Sequence, residues 1–314
     1  MEEEKFPIAY IILMCKEVEQ MEKLLMAIYR PQNIYLFHFD LSSSVEVHSA
    51  VHAITGCFDN VFVVSEKETI VYAGFKRLQA DINCMADLLQ KNWEWKYFIN
   101  LLSQQYPIKT SLEIVKLLQI SNIANDIEGI TSNRMLSNRL KYINKYIPQD
   151  GGKATMYRTN VTKSNPPHNL TIVKGSAYVI FSRNFVRFII YDEKARDFLE
   201  WCKEVCSPEE YYWAMLNHNP HLGVSGSYKE PECNGEEIRG YVIKICSSSE
   251  KTQYNRIGTN QCRKRFAALI LEQHTCFLCK QSTRLVREGF AMIVPAQHWF
   301  ETFIQQETLE STVE

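Results

Sequence analysis

The stretch SPEEYYWAML, residues 207–216, sets two adjacent carboxylates beside three aromatic side chains. A carboxylate such as Glu210 can act as a general base when a substrate hydroxyl lies within hydrogen-bonding reach. A structural role fits equally well, because Ser207 and Glu210 have the spacing of a helix capping box with Pro208 in the first turn. In either role, the helix macrodipole would stabilise a negative charge at this position. Both interpretations of Glu210 stay open.

A second candidate is Asp40, which closes the apolar run FHFD. Its carboxylate could accept hydrogen bonds from a ribose or a uracil, or it could cap a helix in the Ser-rich segment that follows. Both roles of Asp40 remain open. His38 lies on the same face of the predicted strand, and we expect it to be a hydrogen-bonded core histidine.

Metal and phosphate binding have only indirect candidates. The nearest approach to a D-x-D motif is Asp126-Ile-Glu128, and the C-x-x-C formed by Cys276 and Cys279 has no second pair at metal spacing, so we predict no metal. Cationic side chains could hold a phosphate instead, although a solvated basic surface is the alternative. The cations in question are Arg263, Lys264, Arg265, Arg284 and Arg287.

Composition narrows the class of protein. The chain has 314 residues with 46% apolar residues and a net charge of −1, which fits a globular protein and gives no reason to expect nucleic acid. The first apolar run is too short to cross a bilayer, and residues 1–6 form an acidic leader, so we expect any membrane anchor to lie outside this chain. Sequons at Asn160 and Asn169 favour surface loops of a secretory protein. The pairing of the ten cysteines cannot be read from their spacing.

The order of elements predicts an α/β fold. Apolar runs at 7–15, 33–40, 61–65 and 96–102 alternate with helical patterns at 17–30, 42–54, 73–90 and from Thr110, which predicts a mostly parallel central sheet flanked by helices. The turn-rich segment 149–169 separates a nucleotide-binding half, 7–150, from a second half, 151–314. Neither a G-x-G-x-x-G nor a P-loop is present, which favours nucleotide-sugar chemistry over NAD or kinase chemistry.

Five segments carry a resemblance to a known family. They are AIYRPQNIYLFHFD (27–40), CFDNVFVVSEKETIVYAGFKRLQADINCMADLL (57–89), WKYFINLLSQQYPIKTSLEIVKLL (95–118), GSAYVIFSRNFV (175–186) and SPEEYYWAML (207–216). The chain resembles the core-2/I-branching β-1,6-N-acetylglucosaminyltransferases, which are related to peptide O-xylosyltransferases. The resemblance runs from about residue 8 to 227, and residues 228–314 diverge.

The resemblance implies a single GT-A-like glycosyltransferase domain, a UDP-N-acetylglucosamine donor and no cofactor. It also implies inverting, metal-independent transfer to the 6-hydroxyl of a galactose or N-acetylgalactosamine, in the Golgi lumen, by a type II membrane protein. Glu210 matches the catalytic base of the family. Leu13, Asp40 and Tyr72 match residues that line the uridine site, and Glu128 and Arg139 match residues that contact the acceptor.

The sequence also departs from the family pattern. Gln105 stands where the family has an acidic residue, Leu136 where it has a second basic acceptor residue, and Gly289 at a lysine position. Leu36 replaces the cysteine that would pair with Cys84. We expect Arg263, Arg265 or Arg287 to replace the cations that bind the diphosphate. The divergent last third leaves a non-catalytic relative that binds UDP or a glycan as the alternative function.

Overall fold

The computed structural model describes residues 2–14, 18–107, 109–130, 138–148, 154–227, 237–239, 245–246 and 293–295. The first half of the chain alternates strands and helices. Its elements are β1 (Ile8–Met14), α1 (Val18–Ile28), β2 (Ile34–Phe39), α2 (Val45–Thr55), β3 (Val61–Val63), α3 (Phe75–Gln90), β4 (Tyr97–Leu102), β5 (Gln105–Pro107), α4 (Ser111–Ser121) and β6 (Gly129–Ile130). Thr110 caps α4 with a capping box closed by Glu113. The predicted α/β class is confirmed.

The later elements add one strand to the central sheet and take part in three smaller sheets of the described residues. They are α5 (Asn138–Lys141), β7 (Tyr142–Pro148), β8 (Ala154–Thr162), β9 (Ile180–Ser182), α6 (Arg183–Tyr191), α7 (Glu193–Cys202), α8 (Glu209–Asn217), β10 (Glu237–Arg239), β11 (Ile245–Cys246) and β12 (Ile293–Pro295). Of the predicted turn-rich separator 149–169, residues 149–153 lie outside the described residues and residues 154–162 form strand β8. Asn160, which we expected in a loop, lies instead within β8 of the β7–β8 ribbon. The side chains of Asn160 and Asn169 are both exposed.

The central sheet has the strand order β3-β2-β1-β4-β9. The pairs β1–β2, β1–β4 and β2–β3 are parallel, as predicted, and β9 is antiparallel to β4. Because parallel strands end at the same edge, the segments after β1, β2 and β4 converge at the carboxyl edge of the sheet. Functional side chains on these segments are therefore brought together there.

The sheet is buried on both faces, which explains why its strands are continuous apolar runs rather than alternating ones. Along β1, Ala9 and Ile11 enter one apolar cluster and Tyr10 and Ile12 enter the other. The first cluster contains residues of both halves of the chain, including most of α8. The aromatics of the 207–216 stretch are part of this core, and Trp213 packs against Phe181 with ring centroids 5.3 Å apart.

His38 is a satisfied core residue, as predicted. Its Nε2 accepts a hydrogen bond of 2.9 Å from the backbone N–H of Glu68. Burial lowers the pKa of the His38 imidazole to about 4, against the opposing effect of the nearby carboxylates of Asp40 and Glu68. The neutral ring thus tethers the segment after β3 to strand β2.

His38→Gln tests this tether through its dependence on pH. Because the folded pKa lies below the unfolded value, native His38 contributes stability above pH 6.5 that is lost as pH falls towards 4. Glutamine keeps an acceptor but does not titrate. Between pH 7 and 4 we expect the wild type to lose up to about 3 kcal/mol more unfolding free energy than the variant. Urea denaturation at both pH values measures this difference, and parallel pH profiles would contradict it.

Candidate functional site

Glu210 lies in the first turn of α8, but the predicted capping box is wrong. The N-cap position is Pro208, and no side chain caps this helix. Ser207 adopts a left-handed backbone conformation, with φ of 52°, and its N–H donates to the carbonyl of Ala73. The chain therefore turns sharply before α8, and the Glu210 side chain takes no part in a capping box.

The Glu210 carboxylate instead binds two cations. Arg139 Nη1 and Lys174 Nζ each lie 2.9 Å from Glu210 Oε2. All three side chains are largely but not fully buried, with exposed fractions of 28% for Arg139, 18% for Lys174 and 26% for Glu210. Burial alone would lower the pKa of the Arg139 guanidinium, but the Glu210 carboxylate raises it above its ordinary value.

Gly175 brings the segment of Lys174 against the start of α8. Its N–H donates to the Glu210 carbonyl at 2.6 Å, and Lys174 forms two backbone hydrogen bonds with Ile130, of 2.7 and 3.0 Å. A Cβ at Gly175 would overlap the carbonyl oxygen of Glu128 and lie 2.9 Å from Cβ of Ala214. The predicted acceptor residues Glu128 and Arg139 thus meet the predicted base in one place.

The segment between β3 and α3 connects the predicted uridine residues to this site. It contains Tyr72, binds Asp40 through Ile70 and contacts Ser207 through Ala73. Asp40 Oδ1 accepts from the N–H and hydroxyl of Ser42, and Oδ2 accepts from the N–H of Ile70 at 2.7 Å. Asp40 is therefore not a helix cap, since Ser44 holds that position for α2. Two residues after Ile70, the side chain of Tyr72 is 93% exposed.

Leu13 is buried near the end of β1, and its carbonyl accepts a hydrogen bond from Ser103. The uridine roles of Leu13, Asp40 and Tyr72 stay predictions. Gln105 is the amide at the position where the family has an acidic residue, and its side chain makes a local contact. Its side-chain oxygen accepts from the N–H of Leu102 and closes the turn after β4.

The remaining candidates divide by location. The cations expected at the diphosphate, Arg263, Arg265 and Arg287, lie outside the described residues, as do the C-x-x-C and Leu136. In the part of the chain that the structure describes, no cluster of three metal-ligating side chains occurs and no helix is long and apolar enough to span a bilayer. Cys57, Cys84, Cys202 and Cys206 are free thiols.

Sequence reasoning missed Lys174 in the site and the burial of Glu209 next to it. Lys174 was not a candidate, because nothing in the local sequence indicates that the Ile130 bridge carries it to Glu210. Glu209 was treated only as the neighbour of Glu210, yet it is 9% exposed and its Oε2 has no hydrogen-bond partner. Burial raises the pKa of the Glu209 carboxyl to about 7, against the opposing effect of Arg77. Arg77 itself forms a buried ion pair of 2.5 Å with Asp81.

The fold and the site define an α/β protein in which the Glu210 carboxylate is ion-paired with Arg139 and Lys174 at the carboxyl edge of a mostly parallel sheet. Comparison with known families agrees with this description, since the Core-2/I-branching enzyme family matches residues 8–239. The chain therefore belongs to the Core-2/I-branching enzyme family.

Individual relatives support the same assignment. The chain is 42% identical over 215 residues to the beta-1,3-galactosyl-O-glycosyl-glycoprotein beta-1,6-N-acetylglucosaminyltransferase 3 of Rattus norvegicus, covering 68% of this chain and 48% of the relative. It is 39% identical over 263 residues to the probable transferase 7 of this name from Homo sapiens, covering 78% and 60%. The chain thus spans about half to three fifths of the length of these relatives. Among solved structures, S. aureus TarS 1–349 aligns over 64% of this chain and 55% of its own, with 12% identity and a TM-score of 0.33, too partial to support an inference.

Gly175→Ala tests the close approach that assembles the site. An added methyl group would push the Lys174 segment away from Glu128 and α8, and we expect a loss of roughly 1–3 kcal/mol in unfolding free energy. Gly56→Ala is the matched control, because Gly56 has φ of −66° and the nearest atom to an added Cβ is 3.2 Å away. Chemical denaturation compares the two variants, and equal stabilities would show that the approach at Gly175 is not tight.

Glu209→Gln tests the burial of the neighbouring carboxyl. Because the folded pKa is about 7 and the unfolded value about 4.5, wild-type stability falls as pH rises through this window and stays low above it. Glutamine is neutral throughout. We expect the variant to gain up to about 3 kcal/mol on the wild type between pH 4.5 and 8. Urea denaturation at both pH values measures the gain, and a constant difference between the two proteins would contradict it.

Proposed function

We propose that this chain is the catalytic part of a GT-A-like β-1,6-N-acetylglucosaminyltransferase that acts in the Golgi lumen with Glu210 as its general base. One observation carries the proposal. Both cations contact Oε2 of Glu210, and none of the described residues hydrogen-bonds to Oε1. The carboxylate is therefore held at one oxygen while the other can accept a proton.

The proposed reaction is a direct displacement with inversion. The acceptor 6-hydroxyl gives its proton to Oε1 of Glu210 as its oxygen forms a bond with the anomeric carbon of N-acetylglucosamine. The bond from that carbon to the diphosphate oxygen breaks, and UDP leaves with the electron pair. Holding the hydroxyl and the base in line supplies much of the rate enhancement in such a step.

The surroundings of Glu210 support a sugar acceptor. Arg139 contacts the base, and the backbone of Glu128 lies against Gly175 beside it. Charged and amide groups of this kind recognise sugar hydroxyls through directional hydrogen bonds. The names of the relatives specify a β-1,3-galactosyl O-glycan acceptor and β-1,6 transfer of N-acetylglucosamine, and we propose the same acceptor class here.

The donor is proposed to be UDP-N-acetylglucosamine, bound at the carboxyl edge of the sheet near Leu13, Asp40 and Tyr72. Oδ1 of Asp40 already accepts two hydrogen bonds from Ser42, but Oδ2 accepts only the one from Ile70 and has a second lone pair for a ligand. Tyr72 offers an exposed ring two residues after Ile70, whose N–H binds Asp40, and such a ring suits stacking on a base. We propose that Arg263, Arg265 or Arg287 neutralises the leaving diphosphate without a metal.

Glu210→Gln tests the base. We expect transfer from UDP-N-acetylglucosamine to a core-1 disaccharide to fall at least about 100-fold, because loss of a general base typically has this effect. Transfer by the wild type should continue in EDTA. The matched control is Glu204→Gln, which removes a carboxylate paired with Lys163 at 2.7 Å outside this site. Product formation is measured with both variants at equal folded fractions, and full activity of Glu210→Gln would refute the assignment.

The alternative of a non-catalytic relative is separated by ligand binding. If UDP raises the melting temperature of the wild type but no product forms, the chain binds the nucleotide without catalysis. The observation behind this alternative is that two cations already neutralise the proposed base. A protein that neither binds UDP nor transfers sugar would contradict both functions.

A further inference from the structure

We propose that Lys174 is a positioning residue that, together with Arg139, fixes the carboxylate of Glu210 in the orientation that presents Oε1 to the acceptor. This inference rests on the proposed function for its catalytic consequence, but the contact itself can be tested without activity. The Lys174 ammonium lies 2.9 Å from Glu210 Oε2 and 3.4 Å from the carbonyl of Gly175.

The backbone on both sides of Lys174 is fixed by hydrogen bonds. Ile130 forms backbone hydrogen bonds with Lys174 in both directions, and the next residue, Gly175, donates to the carbonyl of Glu210. The lysine stem therefore starts from a point that is fixed relative to α8. Since Lys174 is 18% exposed, little conformational freedom remains for its ammonium.

Two cations constrain a carboxylate better than one. A glutamate side chain turns easily about its last torsion, which has a broad minimum. With Arg139 alone, the carboxylate could swing about this torsion while one oxygen kept its contact, so the other oxygen would have no fixed direction. With Arg139 and Lys174 arriving from two different segments, both donors converge on Oε2 and oppose this rotation. An error of about 1 Å in the position of a reacting group can reduce the rate of a step by about 100-fold.

The first experiment measures the contact in the absence of substrate. Lys174→Met, Glu210→Gln and the double variant form a thermodynamic cycle on unfolding in urea. We expect Lys174→Met to change the unfolding equilibrium constant about three- to tenfold more in the wild-type background than in the Glu210→Gln background. Equal effects in the two backgrounds would overturn the positioning role whether or not the protein is a transferase.

The second experiment measures the catalytic consequence. Lys174→Met should lower kcat for transfer at least tenfold, with less than a threefold change in the KM for the donor or in the KM for the acceptor. Lys174→Arg should recover most of kcat. The control is Lys163→Met, which breaks the other lysine–glutamate pair and should leave kcat unchanged. A kcat of Lys174→Met within twofold of the wild type, or equal losses in both methionine variants, would overturn the proposal.

The two experiments separate the possible failures. An inactive wild type with coupled Lys174 and Glu210 would refute the transferase function and support the positioning of the carboxylate. An active wild type with uncoupled residues would support the function and refute the role of Lys174.

Discussion

The convergence of Arg139 and Lys174 on one oxygen of Glu210 is the interaction on which the site depends. These residues come from α5, from the bridge to β6 and from the first turn of α8. An isolated surface ion pair contributes little free energy, because water screens it and ordering long side chains costs entropy. Here the backbone has already ordered the three segments, so the ion pairs determine orientation more than stability.

The two adjacent glutamates show how one helical turn separates different environments. Glu209 points towards the interior, where burial raises its pKa and Arg77 and Asp81 form a buried pair. Glu210, one residue later, reaches the partly exposed cations. Successive positions on a helix lie about 100° apart, so one carboxyl is directed into the core and the next towards Arg139 and Lys174.

The sheet could be predicted from the sequence because its strands are continuous apolar runs separated by amphipathic helices. The resemblance located Glu210, Glu128 and Arg139, which the structure brings together. The capping box at Ser207 was predicted wrongly because spacing does not reveal a left-handed φ, which here follows from the contact with Ala73. Lys174 could not be predicted, since its contact depends on a two-residue bridge whose partners are 44 positions apart in sequence, Ile130 and Lys174. The sequence left two roles open for Asp40. The structure excludes the capping role, because Asp40 binds Ser42 and Ile70 while Ser44 occupies the N-cap position of α2.

The segment from Ile70 to Ala73 joins the two proposed substrate regions mechanically. Ile70 is bonded to the Asp40 carboxylate, and the Ala73 carbonyl is bonded to Ser207, three residues before Glu210. A shift of a few tenths of an ångström at either end must be absorbed by four residues, with Tyr72 between the anchors. Free-energy changes caused by substitutions at Asp40 and at Ser207 will therefore not sum independently, even though the two residues belong to different halves of the chain.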